Sequence, residues 1–364
     1  MKKTLSDYLG EIPEFRRQNK NFAHPLLDIL LLSICALFHG AEDFEEIEEF
    51  GKVKESYLRT FLSLPNGIPS HDTIRRVFLR LDSQVFNEKF MTWIKELLSA
   101  LNLSYQHTSI DGKTLRGTKT GLHLVHAVAS ELGVCLGQVK TDEKSNEIKA
   151  IPTLLEMLAL KGCIVSLDAM GTQKEIVKKI VEKEGEYFLA LKGNQKTLLE
   201  QVERQFELEK PEDSMESTDF SGSHNAVVNY HVGVCHDLKW VENAHEWEKL
   251  QSVVRVKTQS SKRESQIRYY ISSVPKLPAN KAYGLAKGHW SVENKLHWQL
   301  DVTLKEDSKR NRKDFSAENL SLLRKILLNV AQTLEPKLSK KKIIKKMIWD
   351  PDFCIKMLAK IIAL

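Results

Sequence analysis

The sequence predicts an α/β protein: a helical N-terminal region, then a sheet of alternating strands and helices, interrupted by a β-rich insertion. Three observations predict it. Apolar residues recur at helical spacing up to about residue 104, and at His107 the period shortens to that of strands. From His107 to Leu208 the strand-like and helical stretches follow the order βββαβαβα. Further strand-like runs between Val227 and Val274 then break the alternation before helices resume. The expected organisation is a helical domain over 1–104, the α/β core over 105–210 and 276–335, the insertion over 211–275, and a basic tail over 336–364.

In the first region, Pro25 can open a strong apolar helix and Gly40 can close it. This run, Leu26 to Phe38, contains Asp28 and Ser33 and is too short to span a bilayer, so it reads as a core helix. Phe44, Ile47 and Phe50 place one apolar stripe on a helix whose acidic residues form a solvated face. Pro65, Asn66, Gly67 and Pro69 make a turn, and Ser70 is a good N-cap. Ile74, Val77, Phe78 and Leu81 lie on one face of the next helix, with Arg75, Arg76 and Arg80 off it. A short turn feeding a basic helix is how helix-turn-helix proteins present side chains to a DNA major groove; an ordinary surface helix accounts for the same window.

The core begins with three short strands, His107 to Lys113, His123 to Ala129 and Val134 to Lys140. A helix from Glu147 to Leu160, a strand from Cys163 to Asp168, a helix from Gln173 to Glu184, a strand from Tyr187 to Leu191 and a helix from Lys196 to Leu208 follow. Three meandering strands followed by alternating helices and strands is the ribonuclease-H-like order. Polar residues 209–223 read as a loop. Val227 to Cys235, Leu250 to Thr258 and Ser265 to Val274 read as strands of an inserted subdomain. Helical pattern runs again from Asn280 to about Leu300 and from Ala317 to Leu334.

At 364 residues with 42% hydrophobic and 28% charged residues, the chain is an ordinary globular protein with an ample core. A formal charge of +6 permits a nucleic-acid partner. The charge is unevenly spread: residues 42–49 are nearly all acidic, whereas Lys309–Lys313 and Lys337–Lys346 are strongly basic. The five cysteines have no metal-binding or redox spacing and suit buried positions in a reducing cytosol. Without an apolar segment after Met1-Lys-Lys, the expected location is the cytoplasm, with no membrane partner.

Asp111 and Asp168 each end an apolar strand, and Glu293 lies on a late helix. Strand-end aspartates often only cap turns. Brought together, three carboxylates repel one another unless a cation neutralises them. Magnesium, or manganese in its place, is the hard oxygen-loving partner, and two such ions would serve phosphodiester chemistry. His289, Glu293 and His297 are four residues apart and share a helix face. The histidines could contact DNA, hold the glutamate or join a zinc or manganese site, although the usual zinc-hydrolase pairing is missing. Trp290 and Trp298 are packing residues or platforms for an unpaired base. Lys192 and Asn194 in the Lys192-Gly-Asn-Gln195 loop, Lys113, Arg116 and Lys119 are candidate phosphate contacts, each equally readable as solvated polarity.

These residues fall in motifs that resemble the DDE transposases of bacterial insertion sequences, in the branch containing the H-repeat-associated proteins. The motifs are Ser109-Ile-Asp-Gly-Lys113, Lys144-Ser-Asn-Glu-Ile148, Cys163 to Gly171, Leu191-Lys-Gly-Asn-Gln195, Gly288 to Val302 with Lys305-Glu-Asp307, and Ala317-Glu-Asn-Leu. The resemblance covers essentially the whole chain. It implies a ribonuclease-H-like core with a β insertion and a metal-binding catalytic triad of Asp111, Asp168 and Glu293. The implied activity is cleavage at the ends of a mobile element and strand transfer into target DNA, by a homodimer or larger assembly on double-stranded DNA. Where the family usually has arginine six residues before the glutamate, this chain has Lys287, which replaces a bidentate phosphate contact by a point charge. Thr172 stands where cysteine is frequent. A stand-alone metal-dependent nuclease and an inactive DNA-binding relic are the alternatives.

Overall fold

The computed structural model describes residues 3–17, 23–116, 121–141, 147–221, 226–308 and 314–363. Lys119, residues 144–146 of the Lys144–Ile148 motif and the Lys309–Lys313 run lie outside them.

Helices α1 (Leu5–Gly10), α2 (Leu26–Phe38), α3 (Phe44–Val53), α4 (Glu55–Leu58), α5 (His71–Arg80) and α6 (Ser83–Ala100) form the N-terminal region. Pro25 caps α2, and Gly40 follows it at φ +96°. The acid inside this apolar helix has a specific use. Asp28, only 5% exposed, accepts hydrogen bonds from Ser63 Oγ (2.7 Å) and Leu64 N (2.8 Å), which fixes the turn before α5. Ser70 caps α5 by accepting from Thr73 N, and Ile74, Val77 and Phe78 are buried as their spacing requires.

Nine strands make one sheet: β1 (His107–Leu115), β2 (Leu122–Ala129), β3 (Val134–Thr141), β4 (Ile164–Leu167), β5 (Glu186–Leu191), β6 (Asp213–Ser221), β7 (Ala226–Cys235), β8 (Ser252–Ser260) and β9 (Arg263–Ser272). Their spatial order is β3-β2-β1-β4-β5-β9-β8-β7-β6. β4 runs parallel to β1 and β5, while the other neighbours are antiparallel. Helices α7 (Glu147–Met157), α8 (Lys174–Glu182) and α9 (Lys196–Leu208) connect the core strands.

The structure differs from the sequence reading in three places. The polar stretch read as a loop contains strand β6, whose alternating exposed and half-buried residues suit the edge of a sheet. The insertion is no separate body: β9 pairs with β5 (Phe188 opposite Ser272), and Phe188 stacks on Tyr270 at 4.6 Å, so the insertion prolongs the core sheet. The late helix is not uniform either. After α10 (Ala279–Val292) the chain widens into π-helical turns over Glu293–His297 and Gln299–Thr303.

Helix α11 (Ser316–Leu334) is buried along most of its length and packs on α2, α5, α6 and β3, joining the N-terminal helices to the sheet in one core. Several of its buried polar groups tie it to its neighbours. Asn329 exchanges hydrogen bonds with the backbone of Cys135, and Asn319 donates to Phe78 O and Leu81 O. The basic tail is folded into α12 (Lys340–Trp349) and α13 (Pro351–Ala363). All five cysteines are free and buried. No helix among the described residues is long and apolar enough to cross a membrane.

Candidate active site

Parallel pairing of β1 and β4 sets Ser109 opposite Ser166. Two residues further along each chain stand Asp111 and Asp168, so the register brings both carboxylates to the same region of the sheet. Asp111 Oδ1 accepts from Gly112 N at 2.9 Å, and Asp168 Oδ1 accepts from Gly171 N at 3.2 Å. Glu293 arrives from the opposite end of the chain, at the first π-helical turn after α10. Asp111, Glu293 and His297 each present a ligand atom, and these atoms lie within 4.8 Å of one another. His297 Nδ1 is 3.1 Å from Glu293 Oε2 and 3.8 Å from Asp111 Oδ2. Asp168 stands outside this tightest group, yet its charge is felt at Asp111.

The electrostatics are those of crowded acids. Burial, with Asp168 and Glu147 adding, pushes the Asp111 carboxyl up to about 6 against the pull of His297. Asp168 is raised as well, first by burial and then by Glu147. Glu293, exposed on its turn, is held below its usual range by the His297 hydrogen bond. Glu147 is therefore a fourth carboxylate near the aspartates, buried and paired with His123 at 2.5 Å.

Beneath the aspartates lies a neutral polar network. Ser166 Oγ is 2.7 Å from His107 Nε2, 3.0 Å from His289 Nδ1 and 3.1 Å from Ser109 Oγ, which in turn meets Ser130 Oγ at 2.6 Å. Burial depresses His107 to about 3 and His289 to about 4, so both rings are uncharged at neutral pH. Gly288 lets α10 approach closely enough for this network: a Cβ there would lie 2.6 Å from His107 Nδ1.

The residues read as DNA contacts divide sharply. Lys113 is buried and bound by Asp301 (2.6 Å), Asp307 (3.1 Å) and Glu306 (3.6 Å), so its ammonium clasps the segment after Glu293 instead of facing solvent. Lys287 pairs with Asp219 on β6 at 2.6 Å, and Arg75 with Glu45 and Asp72. His289 is committed to Ser166. Asn194 donates to Ala169 O (2.6 Å) and Gln195 to Thr172 O (2.9 Å), tying the loop after β5 to the turn holding Asp168. Trp290 packs under Arg268 (4.6 Å) and beside Tyr230 (6.4 Å), lining a cavity of about 350 Å³ on the insertion. Trp298 is 42% exposed. Arg76, Arg80, Arg116 and Lys192 are exposed.

Glu147, His107, Ser109, Ser130 and Ser166 were not singled out in the sequence reading. Their available signal was polar residues within or just beyond apolar strands, with Ser109, Glu147 and Ser166 each inside one of the transposase-like motifs.

An α/β sheet with one aspartate within β1, a second just past the end of the neighbouring β4 and a glutamate supplied by a later helix defines a class of metal-dependent nucleic-acid enzymes. Residues 102–330 match the family model "Transposase DDE domain", and residues 6–94 match a model for the segment associated with it. The chain belongs to the DDE transposase family. It is 37% identical over 344 residues to the Escherichia coli K12 protein named "H repeat-associated putative transposase YhhI", covering 90% of each chain. It is also 37% identical over 343 residues to "Putative transposase YncI" of Escherichia coli O157:H7, covering 90% of this chain and 87% of the relative. A solved piggyBac transposase synaptic complex with hairpin DNA aligns at a TM-score of 0.44 and 12% identity, over 98% of this chain and 78% of that one.

Proposed function

We propose that Asp111, Asp168 and Glu293 are the catalytic carboxylates of this transposase, on a ribonuclease-H-like sheet, and that they hold divalent magnesium or manganese, two ions in the working complex. The carrying observation is the β1–β4 register, which sets Ser109 opposite Ser166 two residues before each aspartate, together with Glu293 from the far end of the chain beside Asp111. The donor set fits such ions. It is oxygen-rich, and Asp111 and Asp168 are raised first by burial and further by the neighbouring carboxylate of Glu147, an environment that a bound cation would relieve. Bound there, the ions would supply an activated water and neutralise charge on the leaving oxygen.

The chain's own residues orient this chemistry. His297 holds the exposed Glu293 toward Asp111, and Asn194 and Gln195 fix the turn that presents Asp168. The reaction has two displacements. Water forms a new P–O bond at an element end and the departing strand leaves as a free 3′-hydroxyl. That hydroxyl then attacks a target phosphodiester, forming a new strand junction and releasing a target 3′-hydroxyl. Exposed Arg116 and Lys192 are placed to contact backbone near the site, and Arg76 and Arg80 on α5 to contact the element ends. Both ends must be held together, which calls for a dimer or larger assembly on double-stranded DNA.

Cleavage of duplexes carrying the element ends, with and without magnesium, tests the reading. Native protein should cut and should stop with EDTA, whereas Asp168→Asn should lose at least about two orders of magnitude in rate, as expected when a metal ligand is removed. Equal rates for the two proteins would sink it.

A further inference from the structure

We propose that the outer face of α12 is a DNA-backbone clamp attached directly to the helix that carries Glu293. On α12, Ile343, Ile344 and Met347 face the core, which leaves Lys341, Lys342, Lys345 and Lys346 together on the opposite, exposed face. No acidic residue lies between Lys337 and Trp349, and none of these four lysines forms an ion pair with a described residue. This sets them apart from the basic residues nearer the site, since Lys113, Lys287, Arg75 and Lys305 are each bound to carboxylates. A single-sign cationic face held open in this way, with Lys345 and Lys346 resting only on the Trp349 and Phe353 rings, has no carboxylate among the described residues to neutralise it, and a phosphate backbone supplies the countercharge.

The anchoring is specific. Lys340, the first residue of α12, points inward and is 6% exposed. Its ammonium donates to Lys295 O at 2.7 Å and to Gly133 O at 2.8 Å. Lys295 lies two residues beyond Glu293 and itself donates to Ser130 O at 2.6 Å. One buried lysine thus pins α12 to both the π-helical turn bearing Glu293 and the β2–β3 turn. Trp349, 73% exposed beside Lys345, adds an aromatic surface at the end of the cationic face. DNA gripped here is held at a fixed offset from the carboxylates. The inference rests on the transposase reading for its choice of partner, not for its geometry.

The test is the salt dependence of binding to a fluorescein-labelled duplex, followed by anisotropy with the full chain. Neutralising Lys341, Lys342, Lys345 and Lys346 to Gln should lower the log–log salt slope by about 3–4, near 0.9 per lost phosphate contact, and weaken binding at least about tenfold. A control carrying Lys52→Gln, Lys161→Gln, Lys178→Gln and Lys239→Gln changes net charge equally and should shift the slope by less than about 1. The pair Lys345→Gln and Lys346→Gln should give about half the full effect, with unfolding midpoints unchanged. An unchanged slope in the α12 variant, or an equal fall in the control, overturns the clamp. Loss of slope without end cleavage in native protein would retain the clamp and remove the catalytic reading; cleavage with no slope effect would do the reverse.

Discussion

At the residue scale, the buried imidazoles make acid stability a sensitive reporter. His107, His126 and His289 all have their folded-state pKa depressed by burial, and neither ring nitrogen of His126 has a hydrogen-bond partner among the described residues. The unfolded imidazoles take up protons below about pH 6.5 while the folded rings do not, so their contribution is intact above that pH and falls as pH drops toward 4, opposed below about pH 6 by Asp111, whose raised carboxyl takes up a proton first in the folded chain. Each ring contributes a slope of about 1.4 kcal/mol per pH unit. Denaturant unfolding across this range should show the net slope, and His126→Leu should lower it by one ring's share, about 1.4 kcal/mol per pH unit. Gly288→Ala should cost about 1–3 kcal/mol from the clash with His107, partly offset by helix propensity, and is read from the same unfolding curves. Asp168 was legible locally because an apolar run ends in it, whereas Glu293 is drawn from a helix whose local pattern says nothing of the aspartates. The serine–histidine network was not legible, since Ser166 meets residues 59 and 123 positions away and nothing in the local pattern of either segment announces the other.

At the element scale, Lys113 clasps the segment that follows Glu293 through Asp301, Glu306 and Asp307. That lysine and the Arg324 and Lys325 side chains of α11 surround Glu306, which is almost fully buried. Lys113→Met leaves Asp301 and Glu306 short of a cation and should destabilise the fold by about 3–5 kcal/mol. Hydrogen exchange should quicken first at residues 293–308; uniform quickening across the sheet would contradict the clasp. Sequence periodicity located α9 at its observed bounds and most core strands to within two residues, because those elements bury one regular face. It passed over β6, whose only apolar residues are Met215 and Phe220, and it carried the late helix through without the π-helical widening. Neither feature leaves a periodic trace: an edge strand needs little apolar surface, and a π turn depends on what the helix packs against.

At the scale of the whole molecule, the N-terminal helices and the sheet share α11 as a common centre. The family models divide the chain between residues 94 and 102, yet that seam is a division of sequence, not of packing. Removing residues 1–104 would uncover the face of α11 that meets α2, α5 and α6. The remaining chain should express insolubly or bind a hydrophobic dye without a cooperative melting transition, as followed by calorimetry. A sharp transition in that fragment would show that the sheet folds alone. The sequence reading recognised separate helical and α/β regions because composition and period change at His107; it had no means of seeing that a helix two hundred residues later stitches them together. The continuity of the sheet has a comparable consequence for modularity. Because β9 completes the side of β5, the insertion is not a cassette that can be excised or exchanged between relatives at its boundaries. Cutting it out would leave Tyr187, Phe188 and Leu189 on a bare, apolar strand edge, the kind of surface on which one chain recruits the next. Any chimera that swaps this region must carry β9 with it, or supply another strand in its place.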